Sequence, residues 1–170
     1  MFFQAFQELL AEKGFDQISV QDIAEKSTLN RATFYDHFRD KFALLEELIG
    51  ARFENAIEAR SDGEAPTCKK RLRMLVLGTC DFFGELSSGC QSQKSQFEPI
   101  AESCVRTIIC EWILRGLEEQ GAKNPQLKAT MVSWAITGAA IQGVRDEKMS
   151  AEELADAVLP TIQTALEAGD

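Results

Sequence analysis

The stretch "SVQDIAEKSTLNRATFYDHFRDKFALL", Ser19 to Leu45, decides the fold, because it holds three helix starts in twenty-seven residues. Ser19 offers its hydroxyl to the first turn of a helix, and Asp22 is placed to reach back, so a short helix is predicted over about Val20 to Lys26. Val20, Ile23 and Ala24 form its inward side. Asn30 is a second cap, opening a helix from Arg31 to about His37, and Asp40 caps a long third one reaching about Arg60. Phe34 and Phe38, four apart, share one face of the middle helix and are expected inside. Helix, turn, helix is the layout that presents a second helix to the major groove of DNA. The turn lacks the usual glycine, so layout alone leaves an ordinary three-helix core equally open.

Outward from this stretch the apolar period stays helical. Phe2, Phe6, Leu9 and Leu10 predict a helix from Phe2 to Lys13, with Gly14 in the left-handed conformation at its end and Phe15 tucked back onto the core. Leu44, Leu45, Leu48, Ile49, Phe53 and Ile57 continue the pattern, and no stretch reads as a strand, so the fold class is all-α. The cluster "SDGEAPT" marks a boundary after the long helix. Beyond it a helix is predicted from Cys68 to about Glu85, then a polar loop "SSGCQSQKS", then a helix with Pro99 in its first turn reaching about Gln120. Asn124 and Pro125 open the next, to about Gly143, and Ser150 with Glu153 caps a last helix to about Ala168, with a kink expected at Pro160.

The chain has 170 residues, formal net charge -9 and pI about 4.7, which argues against unspecific binding to nucleic acid. Leu29 to Lys41 reverses the sign locally, with Arg31, Arg39 and Lys41 against Asp36 and Asp40. Nothing approaches the length of a membrane span, and the start lacks the basic leader of a secretory signal, so a cytoplasmic protein with no membrane association is expected. Five cysteines without a CxxC pair, and a single histidine far from them, predict reduced thiols, no metal site and no cofactor. No nucleophile and base pair stands out, so an enzyme is not expected.

The blocks "EKGF", "SVQDIA", "TFYDHF" and "DKFALL" occur in order between Ala11 and Ile49, and on them the chain resembles the N-terminal domain of the tetracycline-repressor (TetR) family of transcriptional regulators. The resemblance implies a DNA-binding domain over residues 1-50, its first helix shortened relative to the family's, and a helical ligand-binding and dimerisation domain over 51-170. It implies phosphate contacts from Ser19 and Gln21, base-edge contacts from Arg31 and Thr33, contacts to phosphate and nearby bases from Tyr35 and His37, and a phosphate contact from Lys41. Asn30 is first a cap and second a phosphate contact, and Arg39 reads as a solvated charge. Thr28 and Ala32 stand where the family most often has glycine. The first fifty residues carry five Lys or Arg against nine Asp or Glu, so affinity for phosphate is expected to be low and salt-sensitive unless a basic segment precedes them.

By the same resemblance the last two helices pair in a homodimer, which makes the DNA partner a twofold double-stranded operator. Ala135, Gly138, Ala139 and Gly143 allow close approach, and Trp134, Ile136, Ile141, Val158, Leu159, Ile162 and Leu166 supply bulk. Met74, Cys80, Phe82, Phe83, Phe97 and Trp112 are the candidates to line a pocket for a small-molecule effector of unidentified chemistry. The expected function is a ligand-responsive homodimeric repressor. The alternative is a helical ligand-binding or protein-interaction module that has lost operator binding.

Overall fold

A computed structural model describes residues 1–60, 68–88, 91–146 and 149–167. Among them the chain is all-helical: α1 (Phe2–Glu12), α2 (Val20–Lys26), α3 (Arg31–His37), α4 (Lys41–Glu58), α5 (Cys68–Ser88), α6 (Gln91–Glu119), α7 (Pro125–Asp146) and α8 (Ala151–Glu167), with one 3-10 turn at Phe15–Gln17. The "SDGEAPT" boundary lies outside the described residues.

α1 buries Phe2, Ala5, Phe6 and Leu9, and its last turn closes where the Lys13 N–H donates to the Leu9 carbonyl at 2.9 Å. Gly14 is not left-handed as expected. It is extended, at φ -62 and ψ 150, because it caps the 3-10 turn that follows at once. The left-handed residue between α2 and α3 is Thr28, at φ 57. The Leu29 N–H donates to the Ala24 carbonyl at 3.0 Å and the Thr28 N–H to the Glu25 carbonyl at 3.1 Å, the pair of bonds that closes a helix when the residue past its end turns left-handed. Gly121, at φ 67, does the same after α6 through its own N–H to Glu118 and that of Ala122 to Leu117.

Pro99 lies inside α6, not in its first turn. Phe97, Ala101, Val105 and Ile109 are buried at four-residue spacing on both sides of it, so the apolar row carries the helix through the proline despite one missing hydrogen bond. The expected polar loop shrinks accordingly: Ser87 and Ser88 end α5, and Gln91–Ser95 are helical, since Gln, Lys and Ser are only weakly disfavoured in a helix. Pro160 is inside α8 as its position predicts.

One apolar core links both ends of the chain. α4 packs on α5 and α6, while α7 packs on α5, α6 and α8. Phe53 on α4 meets Phe82 at 5.7 Å and Trp112 at 6.2 Å between ring centres. Phe15 meets Phe97 at 5.8 Å, joining the first three helices to α6. At the end of α4 the Arg60 guanidinium donates to both oxygens of Asp81, at 2.6 and 2.7 Å, and to Glu152 at 3.2 Å, tying α4, α5 and α8 together.

Candidate nucleic-acid interface

The two short helices form because each opens on a cap that its own sequence supplies. At α2 the Ser19 N–H donates to Asp22 Oδ2 at 2.7 Å, and the Asp22 N–H donates to Ser19 Oγ at 3.1 Å. The Ser19 hydroxyl also donates to Asp22, at 2.7 Å, and Lys13 lies 3.1 Å from the same carboxylate. The Ser19 hydroxyl and N–H, with Lys13, hold the Asp22 carboxyl down at about 2. At α3, Asn30 Oδ1 accepts from the Thr33 N–H at 2.9 Å. Phe34 is fully buried and Phe38 nearly so, so the opposite side of α3 faces out.

That outer side carries Arg31, Ala32, Tyr35 and Asp36, all exposed, with His37 at the end of the helix. The Arg31 guanidinium sits 5.9 Å over the Tyr35 ring, a contact that steadies a long side chain otherwise held by nothing among the described residues. Tyr35 leans its edge on Phe34, and His37 lies against Phe2 and Phe38 at 6.4 and 6.2 Å. Thr33 is half-buried, with its hydroxyl 3.5 Å from the Asn30 cap. Gln21 is exposed on α2 and donates to Glu25 at 2.5 Å.

Lys41 is not presented outward as the sequence reading had it. Its ammonium donates to the carbonyls of Phe15, Ile18 and Asp16, at 2.9, 2.8 and 3.4 Å, and lies 4.5 Å over the Phe15 ring. Three donors meet three acceptors, so this lysine clamps the turn ahead of α2 against the start of α4. The other cations are also engaged. Lys26 pairs with Glu12 at 2.7 Å and Glu8 at 3.4 Å, while Arg39 lies near Asp40 and Glu46 at 3.7 and 3.8 Å. Of the five Lys and Arg before Gly50, Arg31 alone has neither a carboxylate nor a carbonyl partner among the described residues. Among the described residues this face thus presents a guanidinium without a carboxylate or carbonyl partner, flanked by an aromatic and an imidazole. The clamp could not be read from the sequence, because Lys41 and Phe15 are twenty-six positions apart.

Among the described residues the six candidate pocket residues are not seen to share one cavity. Phe82 and Trp112 pack about Phe53, and Phe97 is the contact with Phe15. Phe83 edges a recess of about 20 Å³, room for a water, with Ile141 and the Glu98–Arg145 ion pair at 2.7 Å. Met74 is half-buried on α5. Cys80 lines a larger groove of about 380 Å³ between α4, α5, the end of α7 and the start of α8. Burial first, then the charge of Asp81, pushes its thiol up to about 11. Cys80, Cys104 and Cys110 are free thiols, and Cys68 and Cys90 fall outside the described side chains. Among the described residues no three His, Cys, Asp or Glu gather as a metal site, and no helix is long and apolar enough to cross a membrane.

Residues 4–48 match the family model for "Bacterial regulatory proteins, tetR family". The chain is similar to the uncharacterized HTH-type transcriptional regulator YxbF of Bacillus subtilis (strain 168), 47% identical over 47 residues, which are 27% of this chain and 12% of that protein. It is also similar to the HTH-type dhaKLM operon transcriptional activator DhaS of Lactococcus lactis subsp. lactis (strain IL1403), 34% identical over 59 residues, 35% of this chain and 32% of that protein. The matched stretches span a third or less of these relatives. A TetR-like transcriptional regulator from Rhodococcus sp. RHA1 shares the fold at TM-score 0.52 and 21% identity, covering 99% of this chain and 94% of that one.

Proposed function

We propose that this chain is a DNA-binding transcriptional repressor of the tetR family of bacterial regulatory proteins that works as a homodimer and leaves its operator when a small molecule binds. The observation that carries the reading is the outer face of α3, where Arg31, Tyr35 and His37 project from a helix whose other side is locked by Phe34 and Phe38. An arginine so placed donates two parallel hydrogen bonds to a guanine edge, and Tyr35 reaches the backbone beside it. Ser19, Gln21 and Asn30 stand at the starts of α2 and α3, where amide and hydroxyl groups meet phosphate.

Dimerisation is supported by α7. Leu127, Met131 and Trp134 are 60%, 57% and 53% exposed and form one stripe with Ala135 and Gly138. Beside it α8 exposes Ala157, Pro160 and Thr161. A Cβ added at Gly138 meets nothing within 4 Å in the single chain, so the space it leaves is room for a second copy. A contiguous apolar stripe of this kind is what an isologous helix-pair interface buries. Twofold pairing would carry two copies of α3 to half-sites about 34–36 Å apart. A ligand that binds better to a dimer of another spacing would draw the population off the operator.

The test is binding to duplexes from the DNA flanking the chain's own coding sequence, measured by fluorescence anisotropy over a salt series. The expected result is affinity for a twofold site that falls as salt rises, with Arg31→Ala weakening it by about 1–3 kcal/mol and relaxing preference at one base position. Equal loss on all sequences refutes base reading by Arg31. Absence of salt-dependent binding to any twofold duplex refutes the regulator and leaves the interaction module.

A further inference from the structure

We propose that Asp36, on the outer face of α3, selects a cytosine in the operator by accepting a hydrogen bond from its amino group, an assignment that rests on the DNA-binding reading above. Residues four apart lie along one line of a helix, so the exposed side of α3 carries two rows, Arg31 with Tyr35 and Ala32 with Asp36. The first row holds the guanidinium and the ring beneath it. The second presents a methyl group and a carboxylate, both exposed. Ala32 is small, so nothing in that row holds the helix off a base edge before Asp36 reaches it.

Among the described residues Asp36 has no ion pair and no hydrogen bond. Arg39, three positions on, lies by Asp40 and Glu46 at 3.7 and 3.8 Å, and Lys41 is held by the carbonyls of Phe15, Asp16 and Ile18. Asp36 caps neither end of α3, since Asn30 is the N-cap and Phe38 the C-cap. It stands in the last turn, where the helix dipole disfavours a negative charge.

Against DNA a carboxylate is repelled by phosphate whatever the sequence, and it recovers that loss only where it meets a donor. In the major groove the donors are the amino groups of cytosine and adenine. Adenine sets its N7 acceptor beside the amino group, which opposes the second carboxylate oxygen, whereas cytosine offers the amino group alone. Guanine and thymine present acceptors there, so both repel it. Arg31 thus reads by donating and Asp36 by accepting, from separate rows of one helix.

The test selects binding sites from a randomised duplex pool with the parent chain, Asp36→Ala, Asp36→Asn and Arg31→Ala. Anisotropy then compares the selected duplex, its single-base variants and a random-sequence duplex. The parent is expected to select a cytosine at one position of each half-site, and thymine there should weaken binding about tenfold. Asp36→Ala should lose that preference alone and bind the random duplex severalfold more tightly. Asp36→Asn should turn the preference toward adenine, whose N6 and N7 suit an amide. Arg31→Ala should relax a different position and keep the cytosine. The proposal is overturned if Asp36→Ala selects the parent's sites with undiminished discrimination, or if it gains affinity equally on every duplex, which marks a repelling charge only. An unfolded Asp36→Ala would make the residue structural and overturn it as well. In each of these cases a parent that selects a twofold site, relaxed by Arg31→Ala, upholds the DNA-binding reading. A parent that selects no sequence refutes both.

Discussion

Thr28 turns between α2 and α3 at φ 57, in a region that a β-branched side chain enters only under strain. The left-handed conformation costs an L-residue roughly 1–2 kcal/mol, and Thr belongs at the upper end because both of its γ-atoms crowd the backbone. Glycine at this position would relieve that strain. Against the gain stands the greater freedom of glycine in the unfolded chain, about 0.4–1 kcal/mol. The side chain is exposed, so little packing is lost. Thr28→Gly is therefore expected to stabilise the protein by about 0.5–1 kcal/mol, read as a higher urea midpoint at unchanged slope, with protein concentration held fixed. For a chain of 170 residues this is a rise in Tm of about 2–4 °C per kcal/mol. Thr28→Val, which keeps the branching and removes the hydroxyl, should leave the midpoint within a few tenths of a kcal/mol. If Thr28→Gly destabilises as much as a glycine placed at negative φ, the strain argument is wrong.

Lys41→Met removes the donors from three carbonyls and should cost about 1–3 kcal/mol in urea unfolding, with α1 and the 3-10 turn losing hydrogen-exchange protection first. Unchanged protection there would show that the clamp does not hold the turn. The Asp22 carboxyl titrates near 2 in the folded chain against 3.8 in the reference state, so its contribution is present above about pH 4 and lost as pH falls toward 2. Asp22→Asn should accordingly lower the urea midpoint at pH 7 and approach the parent chain's midpoint as pH drops below 4; a difference that does not vary with pH would contradict this. Trp134→Glu puts a charge in the α7 stripe and should shift a dimer to monomer in analytical ultracentrifugation while leaving helix content by circular dichroism intact. A variant that sediments as the parent chain does would remove the α7 face from the interface.

The short-range chemistry of this chain was legible in its residues. α2 and α3 have the bounds that Ser19, Lys26, Asn30 and His37 predict, and the Ser19–Asp22 and Ser150–Glu153 boxes both form. Such caps join groups three positions apart, so the sequence alone supplies both partners. Gly14 and Pro99 were misplaced for the opposite reason. A glycine permits a left-handed turn without requiring one, and a proline favours a first turn without forbidding an interior, so the outcome rested on where Phe15 and Phe97 were buried.

The sequence by itself determined that this chain is helical, where α2 and α3 begin, and which side of α3 turns outward, because periodicity and capping act within one or two turns. The tertiary structure decided the rest. It turned Lys41 onto the carbonyls of a distant turn, left Arg31 against the Tyr35 ring with no carboxylate or carbonyl partner among the described residues, and distributed the six candidate pocket side chains over separate contacts. It also opened a groove at Gly84 that no motif announces. Each of these is a contact between residues far apart in the chain, and such contacts are set by how helices pack.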